Sequence, residues 1–187
     1  MQSKNALNLI LDAEGCDLTP CWPGADSGVT YGRGFDLGYN TSKEIVDAWK
    51  PYVSEAVLAY MQSVAGVKGE AAKRLVKKEF KISQLAADSV FENVTLPRFE
   101  KLAMNTYPGL ENLHPDAIGA IVSLVFNRGA SLKGDSRVEM ANLKPLIASG
   151  DITGMAAEIR KMKRLWEGKN LGGLITRREN EALLIEG

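Results

Sequence analysis

At 187 residues, 45% hydrophobic and 25% charged, the chain has the make-up of a globular protein long enough to bury about 70% of its unfolded surface without staples. Basic and acidic residues balance at 23 each, so no global field draws anionic polymers, and the chain has no groove-reading motif, which argues against nucleic acid as a partner. No apolar run approaches the length of a membrane span. One histidine and two cysteines leave no credible metal site and no disulfide framework.

The first element is a helix over 5–13, with Ala6, Leu7, Ile10 and Leu11 near one face. Ahead of it Lys4 is the only early positive charge, and Asn8 and Asp12 interrupt the apolar stretch, so no signal peptide is expected. Glu14 falls at the helix C-terminus, and Gly15 is placed to be the residue after the cap. The helix dipole makes that end negative. A charged carboxylate is disfavoured there unless a cation compensates, which costs a structural Glu and suits a proton donor.

Residues 14–38 are the irregular part of the chain, with six glycines in 25 positions and several carboxylates. Functional residues tend to sit on such loops. Residues 27–31 and 35–37 read as strands flanking Gly32-Arg33-Gly34, which predicts a hairpin. If all three are loop, Thr30 lies opposite Asp36 on one face of the sheet. A two-residue turn would separate them, and the sequence leaves both registers open. Cys16 and Cys21 are close enough to pair, but two free thiols are the expected state.

The remainder reads as helix. Thr41 and Glu44 form a capping box opening a helix to Trp49, stopped by Pro51. Further helices are expected over 53–64, over a basic stretch at 70–80, from a Ser83 cap to about Asn93, and over 98–104 beyond a break or kink at Pro97. His114-Pro115-Asp116 begins the most apolar helix, to Phe126, which should be central and buried. Helices over 138–148, 152–166 and 174–185 complete the chain, the first two closed by Gly150 and Gly168. The fold class is α+β, mostly helical, with a small hairpin lobe at about 14–40 and a larger helical part at about 41–187.

Glu14 followed by Gly28-Val29-Thr30-Tyr31-Gly32-Arg33-Gly34-Phe35-Asp36-Leu37-Gly38 resembles the active-site segment of phage-type muramidases, most of all the pesticin-like branch. Two further segments support the resemblance. Val125-Phe126-Asn127-Arg128-Gly129 is similar to the family's cleft-lining helix end, and Gly173-Leu174 through Arg177-Arg178, Glu181 and Leu183 resembles its C-terminal signature. The resemblance implies one lysozyme-like catalytic domain over 1–187, with a cleft between the lobes.

It also implies a chemistry: hydrolysis of the β-1,4 bond between N-acetylmuramic acid and N-acetylglucosamine in peptidoglycan, with no cofactor. Such cleavage needs a proton donor for the leaving oxygen and a group that activates water or stabilises the cationic transition state. Glu14 is the candidate acid and Asp36 the second carboxylate, with Thr30 holding the attacking water, an arrangement that predicts inversion. Asp36 has an alternative role as a turn Asp bonding its own backbone, and Asp26 competes for the second-carboxylate role. Asp17 is too near Glu14 in sequence to form an opposite wall. Asn127 either hydrogen-bonds a sugar N-acetyl group or caps its helix. Tyr31 and Trp22 are the aromatics within the segment that could stack on sugar, with Asp26 also set near substrate.

Arg177 resembles the family arginine that pairs with the catalytic Glu, and Arg178 is the alternative partner. A cation beside Glu14 would oppose the helix-end effect, so the pair positions the acid rather than activates it. The implied setting is a monomeric phage endolysin, made in the host cytoplasm and reaching the wall through a holin or by injection. A lytic transglycosylase and a non-catalytic wall- or partner-binding protein are the two other classes the sequence allows.

Overall fold

The computed structural model describes residues 3–187, and among them the elements follow mainly from local signals. Helix α1 is Lys4–Ala13. Three short antiparallel strands follow, β1 Asp17–Cys21, β2 Thr30–Gly32 and β3 Phe35–Asp36, in the order β1-β2-β3. Helices α2 Ser42–Trp49, α3 Glu55–Ser63, α4 Gly69–Arg74 and α5 Gln84–Val90 come next. After a π-helical turn, Phe91–Thr95, come α6 Leu96–Thr106, α7 Pro115–Arg128, α8 Val138–Ser149, α9 Ile152–Lys161 and α10 Gly172–Glu186. The chain separates into two compact units: Glu14–Leu96, and the segment ending at Ala13 together with Pro97–Gly187.

In the Glu14–Leu96 unit, alternation along the hairpin decides which side is core. Val29, Tyr31, Phe35 and Leu37 are buried among Ile45, Trp49, Met61 and Val90. Trp49 from α2 lies 5.5 Å from the Phe35 ring, edge-on, and 6.0 Å from Tyr31. The predicted capping box is present at Thr41 and Glu44, and Ser83 caps α5 through the Ala86 amide. Such caps typically contribute about 1 kcal/mol each.

Three local expectations need correction, the first being the helix expected over 152–166, which ends at Lys161 and passes into a 3-10 turn over Met162–Leu165. The basic helix expected over 70–80 stops at Arg74, because Tyr60 captures the chain beyond it. The Tyr60 hydroxyl donates to the Leu75 carbonyl at 2.7 Å and accepts from the Lys77 amide at 3.2 Å, while Phe80 stacks on its ring at 4.3 Å. A few tenths of a kcal/mol of helix propensity per residue cannot compete with those bonds. Gly15, in turn, does not take the left-handed conformation of a helix-ending glycine.

In the second unit α7 is the buried centre, as its composition predicted: Ala117 and residues 119–125 have almost no exposure. His114 caps it and Pro115 takes the first helical position, where a missing N–H costs nothing. Pro97 lies in the first turn of α6, directly after the π-helical turn Phe91–Thr95 that interrupts the regular helix before it. Helices α1 and α10 pack on α7, and Ser3 ties the start of α1 to Asp116 in the first turn of α7.

Candidate active site

The hairpin register is the one that joins the two candidate water-activating residues. Thr30 is the Cα partner of Asp36, and Tyr31 pairs with Phe35, so Gly32-Arg33-Gly34 is the whole turn. Gly32 and Gly34 both have positive φ, 58° and 85°, which an L side chain resists. On the other side of β2, Thr30 pairs with Cys21. Cys21, Thr30 and Asp36 therefore form one cross-strand row on the face opposite Tyr31 and Phe35.

Asp36 is held by backbone amides. Its Oδ1 accepts from Gly28 N at 2.9 Å and Gly38 N at 2.8 Å, and Oδ2 takes a second, 3.0 Å branch from Gly28 N. It thereby caps the 3-10 turn Leu37–Tyr39. The two glycines allow this approach: a Cβ on Gly28 would lie 2.3 Å from Gly38 N and 2.4 Å from Asp36 Oδ1, and one on Gly38 only 2.7 Å from the Val67 carbonyl. The Thr30 hydroxyl, 5% exposed as a residue, donates to the Gly28 carbonyl at 3.3 Å. Asp36, Gly28 and Thr30 are thus one hydrogen-bonded unit, with acceptor capacity left on Oδ2 and the Thr30 hydroxyl.

Glu14 directly follows α1 and is half-buried. The turn arginine serves it: Arg33 Nη1 donates to the Glu14 carbonyl at 3.0 Å, while its Nε pairs with Asp88 of α5 at 3.2 Å. With a side chain only 12% exposed, Arg33 is a strap from the hairpin to the main chain of the candidate acid.

The structure redistributes the other site-segment residues. Tyr31 is corrected: at 0% exposure, with its hydroxyl on the Phe80 carbonyl at 2.7 Å, it is core and has no face for a sugar. Trp22 is half-buried and its indole N–H closes the 22–27 loop on the Ser27 carbonyl at 3.0 Å. Asp26 is exposed in that loop, outside the sheet, and its carbonyl accepts the Tyr39 hydroxyl at 3.3 Å. Tyr39, 61% exposed with Lys68 Nζ 3.6 Å from its ring centre, is an aromatic surface that sequence reasoning passed over, although it directly follows the Asp-Leu-Gly of the motif.

Strand β1 was also not foreseen, because Pro20 interrupts it; β1 is an edge strand, where proline is tolerated. It brings Asp17 near the row, with Cys21 Sγ donating to its carboxylate at 3.2 Å. Burial, then Asp17 and Asp36, push the Cys21 thiol up to about 12. Both cysteines are free.

The downstream candidates lie in the other unit. Asn127 sits in the last turn of α7 and is not its cap; Gly129 is, at φ 73°. Arg177 and Arg178 are buried on α10. Arg177 donates to Ser123 and to Glu181, and Arg178 to Glu181 at 2.8 Å, while Ser123 donates to Glu181 at 2.6 Å. Burial pushes the Glu181 carboxyl up, against the pull of Arg178, Ser123 and Arg177.

A predominantly helical chain with a three-stranded antiparallel sheet bearing this motif has a lysozyme-like fold. The muramidase domain of SpmX from Asticaccaulis excentricus superposes with a TM-score of 0.58 at 16% identity, covering 100% of this chain and 98% of that one. The active form of the P1 phage endolysin Lyz gives 0.54 at 20% identity, covering 98% and 83%. No curated protein sequence matches. The Phage lysozyme family model matches residues 52–181, and the chain belongs to that family. It is therefore a glycoside hydrolase of the lysozyme class, acting on peptidoglycan. The match includes Asn127, Arg177 and Arg178 and begins beyond Glu14, Thr30 and Asp36.

Proposed function

We propose that the protein is an N-acetylmuramidase that cleaves the β-1,4 bond between N-acetylmuramic acid and N-acetylglucosamine. The observation carrying this reading is the Thr30–Asp36 cross-strand pair, with Asp36 fixed by the Gly28 and Gly38 amides. The Glu14 carboxylic acid gives its proton to the glycosidic oxygen as the C1–O bond breaks. A water bound by the Thr30 hydroxyl and Asp36 Oδ2 attacks C1, and its proton passes to Asp36. Attack from the face opposite the leaving group inverts the anomeric centre. The residues do this without a cofactor. Membership of the phage lysozyme family supports a role as an endolysin that opens the host wall, reaching it through a holin or by injection.

One observation favours a second reading. Because Asp36 is engaged by two amides, it has a complete role as a loop lock, which would leave Glu14 as the sole catalytic carboxylate, as in a lytic transglycosylase. Digestion of purified peptidoglycan by wild type, Glu14→Gln and Asp36→Asn separates the readings by mass spectrometry of borohydride-reduced products. Reducible muramic acid ends, lost in both variants, support the muramidase. Anhydro-muramic acid ends establish the second reading instead. Proton NMR during turnover reads the anomer, and a retained β product would contradict the water-attack step.

A further inference from the structure

The segment that carries the candidate acid is gripped at two points, and both grips end on one residue outside every motif. Residues 14–16 belong to no helix or strand. Arg33 Nη1 donates to the Glu14 carbonyl at 3.0 Å, and Arg33 Nε pairs with Asp88 Oδ1 at 3.2 Å. Two residues along, Cys16 Sγ accepts from Gln84 Nε2 at 3.5 Å. The same Nε2 donates to Asp88 Oδ1 at 2.9 Å and Oδ2 at 3.0 Å. Asp88 is thus the common anchor of two arms, one on Glu14 and one on Cys16.

The anchor sits on a firm base. Gln84 and Asp88 are one turn apart on α5, and the hairpin turn lies directly on that helix: a Cβ on Gly32 would meet the Ala87 Cβ at 3.3 Å. Arginine suits the first arm, because its rigid fork reaches two acceptors at a set separation, which a lysine ammonium does not reproduce. Arg33 also belongs to the Gly32-Arg33-Gly34 turn that sets Thr30 opposite Asp36. One turn therefore aligns the water-binding pair and holds the main chain of the acid, and Asp88 fixes the arginine of that turn.

We propose that Asp88 is a positioning residue for proton donation: through Arg33 and Gln84 it fixes where the Glu14 carboxyl meets the glycosidic oxygen. This rests on Glu14 being the acid, which the muramidase and transglycosylase readings share. Proton transfer needs donor and acceptor within about 3 Å. A displacement of about 1 Å can cost on the order of 100-fold in rate. Asp88 is assigned no contact with substrate, so its loss acts on turnover and leaves binding alone.

The test is steady-state kinetics of the full chain on soluble peptidoglycan fragments. In Asp88→Ala, kcat should fall about 10- to 100-fold with KM within about two-fold of wild type. Arg33→Lys, which keeps the charge and loses the fork, should fall alike, and it carries the same prediction should Asp88→Ala fail to fold. Asp88→Asn, which keeps an acceptor for Arg33 Nε, should recover most of kcat. Added to Glu14→Gln, Asp88→Ala should lower the residual turnover no further. A kcat in Asp88→Ala within about two-fold of wild type, or an equal further loss in the Glu14→Gln background, overturns the proposal. Backbone 15N relaxation reads the clamp without activity: order parameters of Gly15 and Cys16 near about 0.85 in wild type should drop toward about 0.6 in Asp88→Ala. Unchanged order parameters overturn the clamp. Anhydro ends from wild type, with kcat lost in Asp88→Ala, would fail the muramidase reading and keep the role of Asp88; reducible ends with an unaffected Asp88→Ala would do the reverse.

Discussion

Replacing Asp36 by asparagine separates its two candidate uses, because an amide keeps most of the geometry and loses the charge. With its carbonyl oxygen in the Oδ1 position, the asparagine side chain still accepts from Gly28 N and Gly38 N, which lie 2.9 Å and 2.8 Å from Oδ1. Both bonds change from charge-assisted to neutral, a loss of about 1 kcal/mol each. The amide nitrogen also faces the Gly28 N–H where Oδ2 accepted a longer branch. A total near ~2 kcal/mol lowers Tm by roughly 4–8 °C in a protein of this size. Loss of a general base costs about 10²–10⁴ in turnover. Dye release from labelled peptidoglycan at about 25 °C, well below either Tm, reads the second effect without the first. Asp36→Asn should therefore be folded and nearly inactive, whereas Asp36→Ala, which strands two buried amides, should fail on both counts. An Asp36→Asn enzyme that keeps more than about a tenth of wild-type turnover refutes the base assignment, since that factor is far below what a base contributes.

Gly28→Ala places a methyl 2.3 Å from Gly38 N and 2.4 Å from Asp36 Oδ1, so it should destabilise by about 2 kcal/mol or more in urea unfolding and abolish lysis; wild-type stability would mean the loop is looser than described. Glu179 is held below its usual range by Lys163 and Arg160, and Glu186 by Arg160. A depressed folded value means that the stabilisation is full above the unfolded value of 4.5 and is lost as pH falls through the folded one. Tm should hold from pH 7 to 5 and drop below pH 4.5, by less in Arg160→Ala; parallel acid curves for the two proteins would remove this network as the cause. With its thiol raised to about 12, Cys21 should resist iodoacetamide at pH 8 in the folded protein and react on unfolding. Peptide mapping checks this, and rapid native alkylation would contradict the burial.

What was legible in the sequence was whatever local chemistry decides. The capping box at Thr41, the buried α7 and its His114-Pro115 start, and the helix-ending Gly150 all have signals within a few residues, whereas Gly168 ends no helix because α9 stops at Lys161. The Thr30–Asp36 opposition was legible as one of two registers, and Gly32 and Gly34 at positive φ select it. The misses are long-range. Tyr60, fifteen residues upstream, ends α4 by bonding Leu75, and the helical pattern of 70–80 cannot report it. Tyr31 looked like a sugar platform because it is an aromatic in a glycine-rich loop. Its burial is fixed by strand parity and by Trp49 arriving from α2.

The two halves of the motif evidence do different physical work. In the N-terminal segment the glycines are spacing devices: Gly28 and Gly38 let the Asp36 carboxylate sit between their amides, and Gly32 and Gly34 turn the strand so that Thr30 meets Asp36. The C-terminal Arg177-Arg178-x-x-Glu181 puts two guanidiniums and one carboxylate on a single buried stripe of α10, at spacings of three and four residues. Ser123 of α7 completes it, so the signature joins α10 to the central helix. A buried charge cluster of this kind contributes little net stability compared with an apolar core, but removal of one member leaves the others uncompensated. It therefore specifies one packing of α10 on α7, and α7 is the helix whose last turn presents Asn127 and Arg128. The C-terminal signature thus fixes the register of α10 on the central helix, a structural role distinct from the chemistry proposed for Glu14, Thr30 and Asp36.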